Sequence, residues 1–145
     1  MIGLLQRVSE ASVSVDGEVI ARIGPGLLVL VGVQRGDTEA RGARLLERLL
    51  GYRVFPDEQG RMNRSLRDTG GGLLLVSQFT LAADTASGTR PGFSTAAEPE
   101  TARALFATLV GQARARHPDV ACGRFGADMK VALVNDGPVT FRLET

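Results

Sequence analysis

The chain has 145 residues, 43% of them apolar and 23% charged, which suits one domain burying roughly two-thirds of its unfolded surface and excludes a disordered chain. Seventeen basic residues against sixteen acidic ones leave a formal charge of +1, so no strong overall field draws in nucleic acid and any RNA contact must be local. A lone cysteine, Cys122, excludes an internal disulfide and a Cys-rich zinc site and fits a reducing, cytoplasmic setting.

Residues 4–15 are rich in alternating and β-branched side chains, Asp16-Gly17 is a two-residue turn signal, and residues 18–23 resume the pattern, so the chain opens with a β-hairpin. Gly24-Pro25-Gly26 breaks it. Residues 27–31 are apolar on both faces and flanked by glycines, which predicts a central strand covered from two sides, although periodicity alone also admits a short buried helix. The longest apolar stretch, residues 27–33, is far too short to span a membrane, and no basic segment leads into a long apolar core at the start. No membrane partner is expected.

Asp37 can cap a helix running to about Leu50, with Leu45, Leu46, Leu49 and Leu50 on one side and Arg41, Arg44 and Arg48 on another. Two readings of that arginine stripe stand: a solvated face paired with Glu39 and Glu47, or an RNA contact. Residues 52–55 resemble a short strand before a Pro56-Asp57 turn, the stretch 58–72 is polar and glycine-rich, and Gly70-Gly71-Gly72 within it is expected as a flexible connection rather than a phosphate cradle, since no dinucleotide fingerprint spacing is present. Residues 73–81 form the next strand, ending in Ser77-Gln78-Phe79-Thr80-Leu81, and residues 82–97 follow as a long loop. Pro99 begins the clearest helix, in which Ala102, Leu105, Phe106, Leu109, Val110 and Ala113 make a buried stripe that stops near His117-Pro118. Strand candidates at 120–122, 129–135 and 139–143 complete the chain. The economical fold is α+β and mostly β: a single domain over residues 1–145 with an antiparallel, barrel-like sheet covered by two main helices.

The usual catalytic sets are missing. His117 falls at a helix end, where a cation offsets the helix dipole. There is no Gly-x-Ser-x-Gly elbow and no His-Glu-x-x-His, and the single lysine, Lys130, has no glycine run before it to make a phosphate loop. No metal or cofactor is implied. What remains is hydroxyl and backbone chemistry at strand ends, because backbone N–H groups just past a strand can hold an oxyanion. Ser77, Gln78 and Thr80 supply one such end. Asn135-Asp136-Gly137-Pro138-Val139-Thr140 supplies the other, where Asp-Gly announces a hairpin but Pro138 removes a donor the returning strand would use. An ordinary trans turn and a backbone-built recognition edge are both open at this point.

In order along the chain stand Gln6-Arg7-Val8, Ser77-Gln78-Phe79-Thr80-Leu81-Ala82, Arg90-Pro91, Gly123-Arg124-Phe125-Gly126-Ala127-Asp128-Met129 and the Asn135 to Thr140 motif. This series closely resembles the D-aminoacyl-tRNA deacylases of bacteria and eukaryotes over essentially the whole chain. The resemblance implies a homodimer of barrel-like subunits with shared active sites. Such an enzyme hydrolyses the ester of D-aminoacyl-tRNA, and of mischarged glycyl-tRNA, to free tRNA and amino acid, a chirality-based proofreading. It further implies a cis Gly137-Pro138 peptide that enters the other subunit's pocket and rejects L-amino acids, and a main chain over Ser77, Gln78, Phe79 and Thr80 that binds the ester and the terminal adenosine. Phe125 and Met129 would line the pocket, Arg7 would buttress the Gly-Pro segment, and the tRNA 2′-hydroxyl would help activate water. The implied partner is the aminoacyl-tRNA acceptor end rather than DNA. One departure is Gly92, where the family more often has serine, and it bears on loop rigidity. Two other functions stay open: a non-catalytic tRNA-end binding module, and a small esterase with Thr80 as nucleophile.

Overall fold

Strand β1, Ile2–Val15, is the spine of the molecule because strands pair along both of its edges. The structure, a computed structural model, describes residues 1–145. Asp16 at φ 51° and Gly17 at φ 80° make the turn into β2, Glu18–Ile23, which completes the opening hairpin. β3, Gly26–Gly32, runs antiparallel to the first half of β1. Its apolar run is a strand covered on both faces: Leu27, Val29 and Val31 join the core under the helices, while Leu28 joins a second core with Val8, Val13 and Leu74.

Helix α1, Glu39–Gly51, buries Leu45, Leu46, Leu49 and Leu50, and Arg44 pairs with Glu47 at 2.6 Å on its exposed side. Its cap differs from the sequence expectation. Thr38 caps it, accepting from Arg41 N at 3.3 Å, because Asp37 is buried and accepts from the Met1 ammonium at 2.6 Å and from Gln34 N at 2.7 Å. A cation and an amide already close to a carboxylate outcompete a helix N–H for it.

β4 is only Phe55–Pro56, shifted from the expected 52–55, and pairs with β5, Met62–Arg64. The polar stretch before the three glycines holds the one-turn helix α2, Leu66–Thr69, with a reciprocal capping box between Ser65 and Asp68, and Gly70, expected as part of a flexible connection, is its left-handed C-cap at φ 67°. A Cβ on Gly71 would lie 2.7 Å from the Pro25 carbonyl, and one on Gly72 2.7 Å from Ile23. Close packing, not flexibility, is what these glycines serve. His117 locks the same place. It is buried at the end of helix α3, Pro99–Arg116, with Nε2 2.6 Å from the Gly71 carbonyl, so it ties a helix end to the glycine run as well as facing the dipole.

β6, Gly72–Ser77, runs parallel to β3, and β7, Val120–Cys122, runs parallel to β6. The sheet is thus mixed rather than antiparallel throughout, because the two connections that carry α1 and α3 are crossovers returning the chain to the same end of the sheet. Finally β8, Lys130–Glu144, pairs with β1 along nearly its whole length, one strand where two were expected. The order is β2-β1-β3-β6-β7, with β8 on the other edge of β1. Ile23 of β2 reaches Gly72, and Met129, just before β8, reaches Gly123 and packs against the second core, so the sheet curls almost closed around it. No helix is long and apolar enough to cross a membrane.

Candidate active site

The carboxyl ends of β3 and β6 open on the same side, beside the segment after β7, and a cavity of about 460 Å³ lies there. Crevices outside the carboxyl ends of parallel strands are where such sheets bind ligands, since that is where backbone groups run out of strand partners. Val31 and Val33 line it from the end of β3, Val76, Ser77, Gln78 and Phe79 from β6, and Pro99 and Ala102 from the first turn of α3. Phe125, Asp128 and Met129 close it from the far side.

β6 stops at Ser77, four residues before the expected end. Gln78 N makes a last bond to Val31 O at 2.8 Å, and the chain then turns into a 3-10 turn, Phe79–Ala82. β3 itself ends at Gly32, over which the turn packs so tightly that a Cβ there would lie 2.8 Å from Leu81 Cβ. The amides of Phe79 and Thr80 precede the first bond of the turn, from Leu81 N to Gln78 O at 3.2 Å. Thr80 is exposed just outside the lining, and its Oγ1 accepts from Gln78 Nε2 at 2.7 Å. Its hydroxyl is tied to a neutral amide. Phe79 stacks on Phe93 of the following loop.

Phe125 is fixed from behind by Phe106, 6.1 Å between centroids, and by the Arg103 guanidinium 4.9 Å above its ring. Asp128 is the one ionisable side chain in the lining, 89% exposed and 3.3 Å from Lys130. The carboxylates held below their ordinary range lie elsewhere. Asp57 is lowered by the Asn63 side chain and by backbone amides, Asp68 by Ser65, and Glu144 by Arg142. No three of His, Cys, Asp and Glu are grouped to hold a metal ion.

The second strand-end motif is built as a bulge. Asn135 pairs with Val8 and Thr140 with Gln6, so Asp136 to Val139 leave the ladder opposite Arg7 alone. Arg7 Nε donates to Asp136 O at 2.9 Å and Nη1 to Val54 O at 2.6 Å. Asn135 closes the loop: its Oδ1 accepts from Val139 N at 2.7 Å and its Nδ2 donates to Thr140 Oγ1 at 2.8 Å. The Gly137-Pro138 peptide is cis, and Gly137 has φ 137°.

Of the residues singled out in the sequence, Ser77, Gln78, Phe79, Phe125 and Met129 come together at the cavity, with Thr80 at its edge. Arg7, Gly137 and Pro138 form the separate bulge, and none of residues 135–140 lines the cavity of its own chain. Val31, Val33, Val76 and Ala102 were not legible as site residues because their pattern is that of ordinary core. Gly92 exchanges bonds of 2.8 and 2.9 Å with Asp84, and the nearest atom to a Cβ there is 3.8 Å away, so a serine would fit without change.

The family model described as D-Tyr-tRNA(Tyr) deacylase matches residues 4–144. A protein of Thioalkalivibrio sulfidiphilus (strain HL-EbGR7) named D-aminoacyl-tRNA deacylase is 69% identical over 144 residues, covering 99% of this chain and 97% of that one. One of the same name from Stutzerimonas stutzeri (strain A1501) is 66% identical over 145 residues, covering 100% of both. Among solved structures, the c-Myc DNA unwinding element binding protein superposes with a TM-score of 0.95 at 38% identity, covering 100% of this chain and 99% of that one.

Proposed function

The chain belongs to the D-aminoacyl-tRNA deacylase family and hydrolyses the ester of D-aminoacyl-tRNA, and from that premise we propose that the ester is held at the cavity beside Ser77, Gln78, Phe79 and Thr80, mainly by main-chain groups. Water attacks the carbonyl carbon, the bond to the ribose oxygen breaks, that oxygen takes a proton, and free tRNA and amino acid leave. The observation that carries this reading is the lining itself: apolar walls, backbone of a strand end, and a Thr80 hydroxyl tied to Gln78 with no base beside it. Amide dipoles are then left to orient the ester and steady the oxyanion, and the ribose 2′-hydroxyl to help activate water.

Selection against L-amino acids falls to Gly137 and Pro138, acting in the cavity of a second copy. In support, the bulge is exposed and stands apart from its own chain's cavity, and the outer edge of β8 has no strand partner. The enzyme is accordingly a homodimer with shared sites, and it accepts achiral glycyl-tRNA as well as D substrates. Its nucleic-acid partner is the tRNA acceptor end, in the cytoplasm. The DNA element in the structural neighbour's name belongs to that protein, and a net charge of +1 gives this chain little field for duplex DNA.

Purified protein given D-tyrosyl-, L-tyrosyl- and glycyl-tRNA, and a D-amino acid methyl ester, tests the reading. Rapid release from the D and glycyl substrates only is expected. Binding without release would make it a tRNA-end binding module. Thr80→Ala should lose less than about tenfold, whereas a terminal 2′-deoxyribose should remove most activity. An aminoacyl-threonine trapped by rapid quench would restore Thr80 as nucleophile.

A further inference from the structure

We propose that Phe79 and Phe93 form a stacking platform for an unpaired base of the tRNA 3′ end, the nucleotide just before the terminal adenosine; this rests on aminoacyl-tRNA being the substrate. Phe79 lines the cavity, and its ring stacks on Phe93 with centroids 4.7 Å apart and 23° between planes. Neither ring is in the core. They are 50% and 39% exposed, an unusual place for two apolar rings to meet unless something covers them.

The loop that carries Phe93 is fixed rather than loose. Besides the paired bonds between Asp84 and Gly92, Arg35 N donates to Thr95 O at 2.9 Å, Ala97 N donates to Val33 O at 3.1 Å, and the Thr95 hydroxyl donates to the Ala82 carbonyl. The aromatic pair is therefore set before a ligand arrives, and little freedom is lost on binding. The occupant follows from the chemistry. A cavity of about 460 Å³ takes the aminoacylated nucleoside, so the nucleotides leading to it must pass over exposed parts of its lining, and the half-exposed Phe79 is the one aromatic ring among them with a second ring stacked on it. Single-stranded bases are flat, and aromatic side chains recognise them by stacking, which tolerates any base.

The test uses the full chain and two substrates, D-tyrosyl-tRNA and D-tyrosyl-adenosine, with wild type, Phe93→Ala, Phe93→Leu and Phe93→Tyr. The ratio of kcat/KM for the tRNA to that for the adenosine ester should fall roughly tenfold in Phe93→Ala and Phe93→Leu, through KM, and return in Phe93→Tyr, the effect of losing one base–aromatic stack. A tRNA made abasic at the penultimate nucleotide should lose the same factor with wild type and nothing more with Phe93→Ala. An unchanged ratio, an equal loss on both substrates, or a leucine as good as phenylalanine overturns the platform. A weakened dimer with an unchanged ratio also overturns it, since the rings then pack against a second copy. If the variants do not fold, the abasic tRNA still decides on wild type, where no loss overturns the proposal. Failure of wild type on both substrates would instead overturn the tRNA reading beneath it.

Discussion

Gly137 is the residue whose replacement speaks most directly to chiral selection. Its φ of 137° lies where L side chains rarely go, and an added Cβ would meet Val139 Cγ2 at 2.7 Å and Arg7 Nη2 at 3.0 Å. Strain of this kind costs about 1–3 kcal/mol, and the bulge can shed it by shifting, because it is exposed and outside the ladder. Gly137→Ala should therefore leave the melting temperature within a few degrees of wild type while slowing D-tyrosyl- and glycyl-tRNA hydrolysis at least tenfold. Rates on D-, L- and glycyl-tRNA beside a thermal melt check this. Unchanged rates in a folded protein would remove Gly137 from the recognition edge.

Among the elements, the short ones after α1 depend on carboxylates for their shape. Asp57 accepts from Asn63 and from the amides of Gln59 and Arg61 across the β4–β5 turn, and Asp68 accepts from the Ser65 amide and hydroxyl at the start of α2. Both are held below their ordinary values, as is Glu144 beside Arg142. Each therefore binds protons more weakly folded than unfolded. Its contribution is complete at neutral pH and is lost as pH falls below the ordinary carboxylate range, under about pH 4. Thermal melts should hold steady from pH 7 to about 5 and drop below about 4, and Asp68→Asn should make that drop shallower. A flat melt through the acid range would show that these bonds do not matter to folding. The same elements mark where sequence reading stopped. The opening hairpin, the two-sided β3 and the Pro99 start of α3 are written in local pattern and turn residues. α2 is too short to show a period, the choice of Thr38 over Asp37 as cap was decided by an ammonium 36 residues away in the chain and adjacent in space, and parallel pairing depends on crossovers that no single window contains. The motif residues of the cavity were legible through the family's pattern, its apolar walls were not, and the distance between the cavity and the bulge could be seen only in three dimensions.

At the scale of the whole molecule, the proposed selection of substrates by the Gly137-Pro138 edge of a second copy makes activity depend on association. Sedimentation at micromolar concentration should show a dimer, and specific activity should fall on dilution as the dimer dissociates. A fully active monomer would place both parts in one chain. With a net charge of +1, few phosphates can be neutralised, so tRNA affinity should fall only gently with salt; a steep slope would point to a wider RNA contact than the acceptor end. The bulge has a further consequence, and it is one of parity. Between Val8 and Gln6 β1 advances two residues, while between Asn135 and Thr140 β8 advances five. An even step faces an odd one, so the odd-numbered side chains of β8 change sides: Val131 and Leu133 enter the core inside the curled sheet, and Leu143 enters the core beneath the helices. One continuous strand thereby serves two interiors. Gaining or losing a single residue between Asn135 and Thr140 would turn one arm of the strand inside out, whereas a change of two would keep both, so the length of the recognition edge is free to vary only in pairs.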